Sequence, residues 1–173
     1  GSRLNAEQMV RFAHRYTAAA TLTAGRTLEV ACGAAIGLGA LQASGRAVVG
    51  LDYTPAVLNR AQTHYRGRLP LLCADSQQLP VAAAAFDAVL CLEAIYYFPD
   101  PAAFLAEARR VLRPGGWLLV GSSNPDWPYF VPGSLARDCA PEICASFPAG
   151  IGVDVCSDAL VTLTALRLER AAL

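Results

Sequence analysis

The chain contains no lysine; all 14 of its basic residues are arginine. Without a side-chain amine there is no Schiff-base chemistry and no phosphate loop closed by a lysine. Histidine occurs only twice. The six cysteines, Cys32, Cys73, Cys91, Cys139, Cys144 and Cys156, include no CxxC pair. A zinc site would have to be gathered from scattered residues, and no metal is expected. Cys73 and Cys91 lie in apolar runs and read as small core residues. Charge is also scarce: charged residues make up 16% of the chain, and 14 acids balance 14 bases for a formal net charge of +0. The positive field on which nucleic-acid and anionic-membrane binding depend is missing. No apolar run is long enough to cross a bilayer, and the first residues lack the charged-then-apolar pattern of a secretion signal. The composition therefore predicts a cytoplasmic, reduced protein with neither nucleic acid nor membrane as a partner.

What the chain does have is apolar bulk. Hydrophobic residues make up 54% of 173, which excludes disorder for most of the length. That length suits one domain, with a core that needs no disulfide or metal. The 33 alanines, with arginine as the only long base, match the codon usage of a GC-rich, bacterial type of genome. From Thr27 to Ser123, short β-like runs alternate with helix-like segments, the pattern of an α/β domain on a parallel sheet. The runs are Thr27–Ala31, Ala47–Leu51, Pro70–Cys73, Phe86–Leu92 and Trp117–Ser122, most of them apolar throughout, as strands covered on both faces are. Helical spacing marks Ile36–Ala43, Pro55–Tyr65 and Pro101–Leu112. Pro55 and Pro101 fit first-turn positions after the capping-type residues Thr54 and Asp100, and Arg113-Pro114-Gly115-Gly116 is expected to stop the third helix and turn the chain.

Ahead of this core, Ala6–Ala20 reads as an amphipathic helix with Met9, Phe12, Ala13 and Tyr16 on one side. Behind it, Asn124–Pro148 is irregular and rich in proline and aromatics, with one helix expected near Ser134–Phe147. Gly152–Cys156 and Leu160–Leu168 read as a strand pair, the second run being compatible with a helix as well. The expected organisation is a single domain over 1–173: an N-terminal helix within 1–22, a ligand-binding core over 27–123 and a shortened C-terminal part over 124–173.

The chemistry-bearing stretch is the first strand and the loop after it, Leu28-Glu29-Val30-Ala31-Cys32-Gly33-Ala34-Ala35-Ile36-Gly37. A small-residue loop between strand and helix lets backbone N–H groups approach a ligand at the carboxyl edge of a sheet. The dinucleotide fingerprint GxGxxG fits no window here, which disfavours a nicotinamide-dependent reductase. Two more acids follow at the next strand ends. Asp52 closes the second strand, where a carboxylate can accept both hydroxyls of a ribose. Asp75 follows the third, where a short acid can accept from an exocyclic amine. Singly, each acid also fits a helix cap or a solvated turn; it is the ordered set that points to a nucleoside-like ligand.

With these motifs in place the sequence resembles the class I S-adenosylmethionine-dependent methyltransferases of small-molecule type. The resemblance runs from about Ala6 to Ser123 and is carried by LEVACG at 28–33, VVGLDYTPAVLNRAQ at 48–62, CADSQQLP at 73–80, FDAVLCLEAIYYFPDP at 86–101 and RRVLRPGGWLLV at 109–120. It implies a Rossmann-like, doubly wound, mostly parallel sheet with helices on both faces and an antiparallel C-terminal strand pair. It also implies S-adenosylmethionine as cofactor and a small-molecule methyl acceptor as partner. Position by position, Glu29 would orient the methionine amino group, Ala31 and Gly33 would lie against the methionine and ribose, and Asp52 would hold the ribose hydroxyls with Tyr53 beside the adenine. Asp75 and Ser76 would meet the adenine edge, Cys91 would floor the methionine pocket, and Tyr16, with His14 and Arg15, would close over the cofactor from the first helix. Arg15 or Arg11 would meet the cofactor's carboxylate.

Some positions depart from the family pattern. The first and third glycines of its loop are Ala31 and Ala35 here; Ala35 would be strained if its φ is positive, its methyl would point toward ligand space, and Gly37 would supply the freedom it lacks. The histidine common after the fourth strand is absent from Ala94-Ile95-Tyr96-Tyr97-Phe98. Glu93-Ala94-Ile95-Tyr96 also replaces the motif associated with base or amide methylation. As acid–base candidates at the acceptor mouth the sequence offers Glu93 and Tyr96, then Tyr97 and Asp126. Asn124–Pro132 suits an apolar acceptor pocket or a packed connector. The expected function is methyl transfer to a small molecule; the alternative is a non-catalytic cofactor-binding module acting through a protein partner.

Overall fold

The computed structural model of the chain describes residues 6–123, 152–157 and 161–168. The helix expected at 134–147, the Asn124–Pro132 segment with Asp126, and Cys139 and Cys144 lie outside the described residues. The elements run α1 (Ala6–Leu22), β1 (Arg26–Val30), α2 (Leu38–Ala43), β2 (Ala47–Asp52), α3 (Pro55–Tyr65), β3 (Leu71–Cys73), β4 (Phe86–Leu92), a 3-10 turn (Ile95–Tyr97), α4 (Pro101–Val111), β5 (Leu112–Ser123), β6 (Gly152–Ser157) and β7 (Val161–Arg167). The strands form one sheet in the order β3-β2-β1-β4-β5-β7-β6. Strands β1 to β5 pair in parallel, while β7 pairs antiparallel with both β5 and β6. The second C-terminal run, compatible with helix or strand in sequence, is therefore a strand. This is the Rossmann-like, doubly wound fold with its antiparallel C-terminal pair.

Period-two alternation sends successive strand residues to opposite faces, and two cores result. On one face Leu28, Val30, Val89, Leu118 and Val120 pack with Phe104, Leu105, Ala108 and Val111 of α4. On the other, Val48, Leu90 and Leu119 pack with Tyr16 and Ala19 of α1, Leu38 and Leu41 of α2, and Ala61 of α3. The Asp100 side chain accepts a hydrogen bond from the Ala103 N–H and so caps α4, with Pro101 at the first turn. The Arg113–Gly116 stretch does not form a separate turn. The chain leaves α4 at Leu112 in extended conformation. The register then jumps from Phe86↔Leu112 to Ala88↔Trp117, so Arg113–Gly116 is accommodated as an irregularity within β5.

The chain steps outward from β1 to β3 and then returns to place β4 on the other side of β1. Ligands of open α/β sheets bind in the crevice where the strand order reverses in this way, outside the carboxyl ends of the strands. Here that crevice lies beyond Val30, Asp52, Cys73 and Leu92. Among the described residues, no helix is long and apolar enough to cross a membrane.

Candidate functional site

Three residues in the left-handed backbone region punctuate the loop after β1: Ala31 (φ 57°), Gly33 (φ 56°) and Ala35 (φ 56°). For an alanine this conformation costs roughly 1–2 kcal/mol. At Ala35 the cost is partly offset, because its methyl is fully buried beside Tyr16 and Leu38; burying such a group is worth about 0.8 kcal/mol. The Ala35 methyl thus points into the core and not into ligand space.

Hydrogen bonds to β2 and α3 hold the loop. Asp52 Oδ2 accepts from the Gly33 N–H at 2.8 Å, and the Cys32 N–H donates to the Leu51 carbonyl at 2.9 Å. The Tyr65 hydroxyl donates to the Ala35 carbonyl at 2.7 Å and accepts from the Gly39 N–H at 3.2 Å. The other Asp52 oxygen, Oδ1, accepts from the Thr54 N–H at 2.8 Å. One carboxylate thus ties the ends of β1 and β2 together.

Gly37 does not supply missing backbone freedom, since its φ is −89°. Its role is to leave room: a Cβ there would lie 1.9 Å from the Tyr16 ring. Gly37→Ala is expected to displace Tyr16 and to lower stability by about 1–3 kcal/mol, the usual range for overpacking, measurable by urea denaturation.

Tyr16 is placed so that its hydroxyl donates to Glu29 Oε1 at 2.5 Å, and this pair is buried. Glu29 Oε2 is also buried and has no hydrogen-bond partner. Burial pushes the Glu29 carboxyl up to about 7, with the Tyr16 hydrogen bond opposing the rise. Burial, and then the neighbouring Glu29, hold the Tyr16 phenol well above its ordinary range. The adjacent helix residue, Arg15, reaches a second carboxylate. Its Nη2 lies 3.3 Å from Glu93 Oε1, while the Tyr96 hydroxyl donates to Glu93 Oε2 at 2.9 Å. Glu93 sits just past β4 with φ 57°, another non-glycine residue in the left-handed region. Burial first, and Glu93 second, raise the Tyr96 phenol far above its usual value. Tyr96 is therefore a neutral hydrogen-bond donor to Glu93.

Beyond the strand ends lies a cavity of about 550 Å³, within the size range of small-ligand sites. Of the residues singled out in the sequence, it brings together Ala31, Asp52, Tyr53, Asp75, Ser76 and Tyr97, and adds Gln77 and Phe98 to its wall. Tyr53 is 76% exposed and Tyr97 62% exposed. Glu29, Glu93 and Tyr96 do not line this cavity and form the polar ties on the α1 side described above; Gly33 does not line it either, but its N–H is held by Asp52, which does. Cys91 differs from expectation. Its side chain is fully buried in the core beneath α4 and does not reach the cavity wall, because alternation along β4 turns it to that face.

Gln77 was not singled out in the sequence, and a surface-loop glutamine carries no signal there. It holds Asp75 in place: its N–H donates to Asp75 Oδ1 at 2.8 Å, and its Oε1 accepts from the Asp100 N–H at 3.0 Å. The start of α4 is thereby fixed to the cavity rim. Among the described residues, no group of three or more His, Cys, Asp or Glu is placed to hold a metal ion.

Comparison with known proteins agrees with this fold. Residues 28–120 match a family model described as a methyltransferase domain. Phthiotriol/phenolphthiotriol dimycocerosates methyltransferase 1 of Mycobacterium ulcerans is 35% identical over 150 residues, covering 80% of this chain and 54% of the relative. Ubiquinone biosynthesis O-methyltransferase of Paracidovorax citrulli is 33% identical over 113 residues, 61% of this chain and 46% of the relative. The chain thus spans about half the length of the curated relatives it matches. Among solved structures, a SAM-dependent methyltransferase from Aquifex aeolicus superposes with a TM-score of 0.75 at 18% identity, over 90% of this chain and 88% of that one. At that identity the likeness shows the fold alone.

Proposed function

The chain belongs to the S-adenosylmethionine-dependent methyltransferase family, and from that premise we propose that it transfers a methyl group from S-adenosylmethionine to a small-molecule acceptor. The observation that carries this reading is the acidic rim: Asp52 and Asp75 on one cavity, with the buried Glu29 behind the loop that bounds it. The donor set suits the cofactor. Asp52 and Asp75 can accept from ribose hydroxyls and an adenine amine, Tyr53 offers an exposed ring for stacking, and Glu29 Oε2 is a buried acceptor without a donor, suited to an ammonium.

When bound, S-adenosylmethionine would be held at its nucleoside by Asp52, Asp75 and Tyr53, and would supply an electrophilic methyl carbon with its sulfur as the leaving group. The chain's own residues have less to do, because alignment supplies most of the rate in such a displacement. Asp52 and Asp75 orient the nucleoside. Glu93 takes the proton that the acceptor loses as its new bond to carbon forms, and the Tyr96 hydroxyl steadies that carboxylate by donating to it.

The acceptor class we infer is apolar with one reactive hydroxyl, in line with the phthiotriol and ubiquinone-biosynthesis methyltransferases among the relatives. A cytoplasmic location belongs to the same reading. The test is transfer of tritiated methyl from S-adenosylmethionine to a panel of long-chain alcohols, fatty acids and quinols. Glu93→Gln should reduce labelling of the accepted substrate by about 100-fold or more, within the range attributed to a general base. Cofactor binding with no labelling of any lipid or polar small molecule would favour a non-catalytic module that acts through a protein partner.

A further inference from the structure

The apolar stripe of α1 is only partly absorbed by the core. Tyr16 is buried, but Met9, on the same side, is 53% exposed, and Ala13 between them is exposed as well. With Ala20 they face Ile36, just ahead of α2, and Ala40 within it, across a groove of about 510 Å³, within the size range of small-ligand sites. Among the described residues, five large apolar side chains are exposed: Met9, Val10, Ile36, Tyr53 and Tyr97. Tyr53 and Tyr97 line the cavity beyond the strand ends, while Met9 and Ile36 line this groove. Exposed apolar surface gathered in this way marks a place where something binds. Among the described residues, none that lines the groove is charged. The Tyr16 hydroxyl is spent on Glu29 and the Thr21 hydroxyl on the Thr17 carbonyl. Protein interfaces carry about one hydrogen bond per 100–200 Å², and this lining offers little toward that. A bare hydrocarbon chain asks for none.

We propose that the groove between α1 and α2 takes the hydrocarbon chain of the methyl acceptor, whose hydroxyl is presented to Glu93. The inference rests on the methyl-transfer reading above. The position of the groove supports it. Since α1 ends at Leu22 and β1 begins at Arg26, the first turns of α1 stand at the carboxyl edge of the sheet, the edge of the cofactor cavity. The groove has its Met9 and Ile36 end there. From Met9 to Thr21 the helix rises about 18 Å, so a long chain can lie along it. Continuity with the site comes through α1 itself. The Tyr16 ring walls the groove while its hydroxyl holds Glu29, and the preceding residue, Arg15, contacts Glu93. Groove and Glu93 are thus separated by about the width of one helix, roughly 10 Å. Only the far part of a long chain reaches the groove, which makes it a device for selecting chain length.

The test is titration calorimetry with S-adenosylhomocysteine first, and then with octan-1-ol and dodecan-1-ol on the protein saturated with it. Dodecan-1-ol should bind more tightly than octan-1-ol, by up to about fourfold for each added methylene that enters the groove. Ala13→Trp fills the groove from an exposed position. It should weaken dodecan-1-ol by roughly tenfold or more, the worth of a few buried methylenes, and abolish its advantage over octan-1-ol. S-adenosylhomocysteine should bind this variant as it binds the wild type, which also shows that the variant is folded. The double variant Met9→Ser, Ile36→Ser removes the apolar flanks without filling the space and should weaken dodecan-1-ol in the same direction. Dodecan-1-ol binding that Ala13→Trp leaves unchanged would overturn the proposal. So would a wild-type protein that binds S-adenosylhomocysteine but not dodecan-1-ol. A dimer in sedimentation that Ala13→Trp breaks and dodecan-1-ol does not would put a second copy in the groove, and overturn it too. If the wild type does not bind S-adenosylhomocysteine, the methyl-transfer reading itself falls, and this proposal with it.

Discussion

Replacing Glu29 with glutamine is expected to stabilise the protein by about 3 kcal/mol at pH 8 and to leave it nearly unchanged at pH 4. The sign follows from the titration of a buried acid. Glu29 has an ordinary value of 4.5 that burial raises to about 7, so the folded protein holds this proton over a pH range in which the unfolded chain has lost it. The proton's contribution is fully present below about pH 4.5 and is lost as pH rises to about 7. A shift of that size corresponds to about 3 kcal/mol. Glutamine keeps the shape and can still accept from the Tyr16 hydroxyl, but it carries no charge to desolvate. The gain should appear as a rise in Tm on the order of 10 °C at pH 8 for a chain of this length, shrinking steadily between pH 7 and pH 4.5. A stability difference independent of pH would show that Glu29 does not titrate in this way. A residue that destabilises the fold and serves no other purpose is readily replaced, and its presence under the loop fits the cost that functional groups impose.

Asp52→Ala should have the largest effect on ligand binding. Each oxygen of this carboxylate accepts a backbone N–H, from Gly33 across to β1 and from Thr54 ahead of α3. Its loss removes the ribose partner and also the tie that holds the Ala31–Ala35 loop in its strained conformation. Binding of S-adenosylhomocysteine should weaken by about 1–3 kcal/mol, or roughly 5- to 150-fold. Methylthioadenosine, which has the nucleoside and sulfur but no amino-acid head, should lose the same factor, because the ribose is common to both ligands. Asp52→Asn is expected to fall between the wild type and Asp52→Ala, since one oxygen still accepts while the amide nitrogen opposes a backbone donor.

The sheet was legible because its strands are apolar runs with a strict position in the alternation. Pro55–Tyr65 forms with the boundaries that its proline and spacing indicate. The three acids sit where the strand ends put them, and position along a strand can be read from sequence. What could not be read is direction and reach. Cys91 belongs to a motif that suggests a pocket floor, yet alternation in β4 turns it into the core. The Arg113–Gly116 stretch has the composition of a turn, but in-register pairing on either side of it makes it an irregularity inside β5. Ala35 looks like a flaw in the loop until its methyl is found buried. Gly37 looks in sequence like a source of backbone freedom, whereas the Tyr16 ring occupies the space its side chain would need. The contacts of Arg15 and Tyr16 with two carboxylates depend on how α1 lies across β1 and β4. No spacing within the chain encodes that placement.

The most direct test is a calorimetric titration of the folded wild-type protein with S-adenosylhomocysteine and, separately, with NADH. Saturable binding of S-adenosylhomocysteine at one site per chain is expected, most of it lost in Asp52→Ala, with no heat from NADH. No binding of S-adenosylhomocysteine or S-adenosylmethionine, or saturable binding of NADH at a site that Asp52→Ala disrupts, would contradict the methyl-transfer reading.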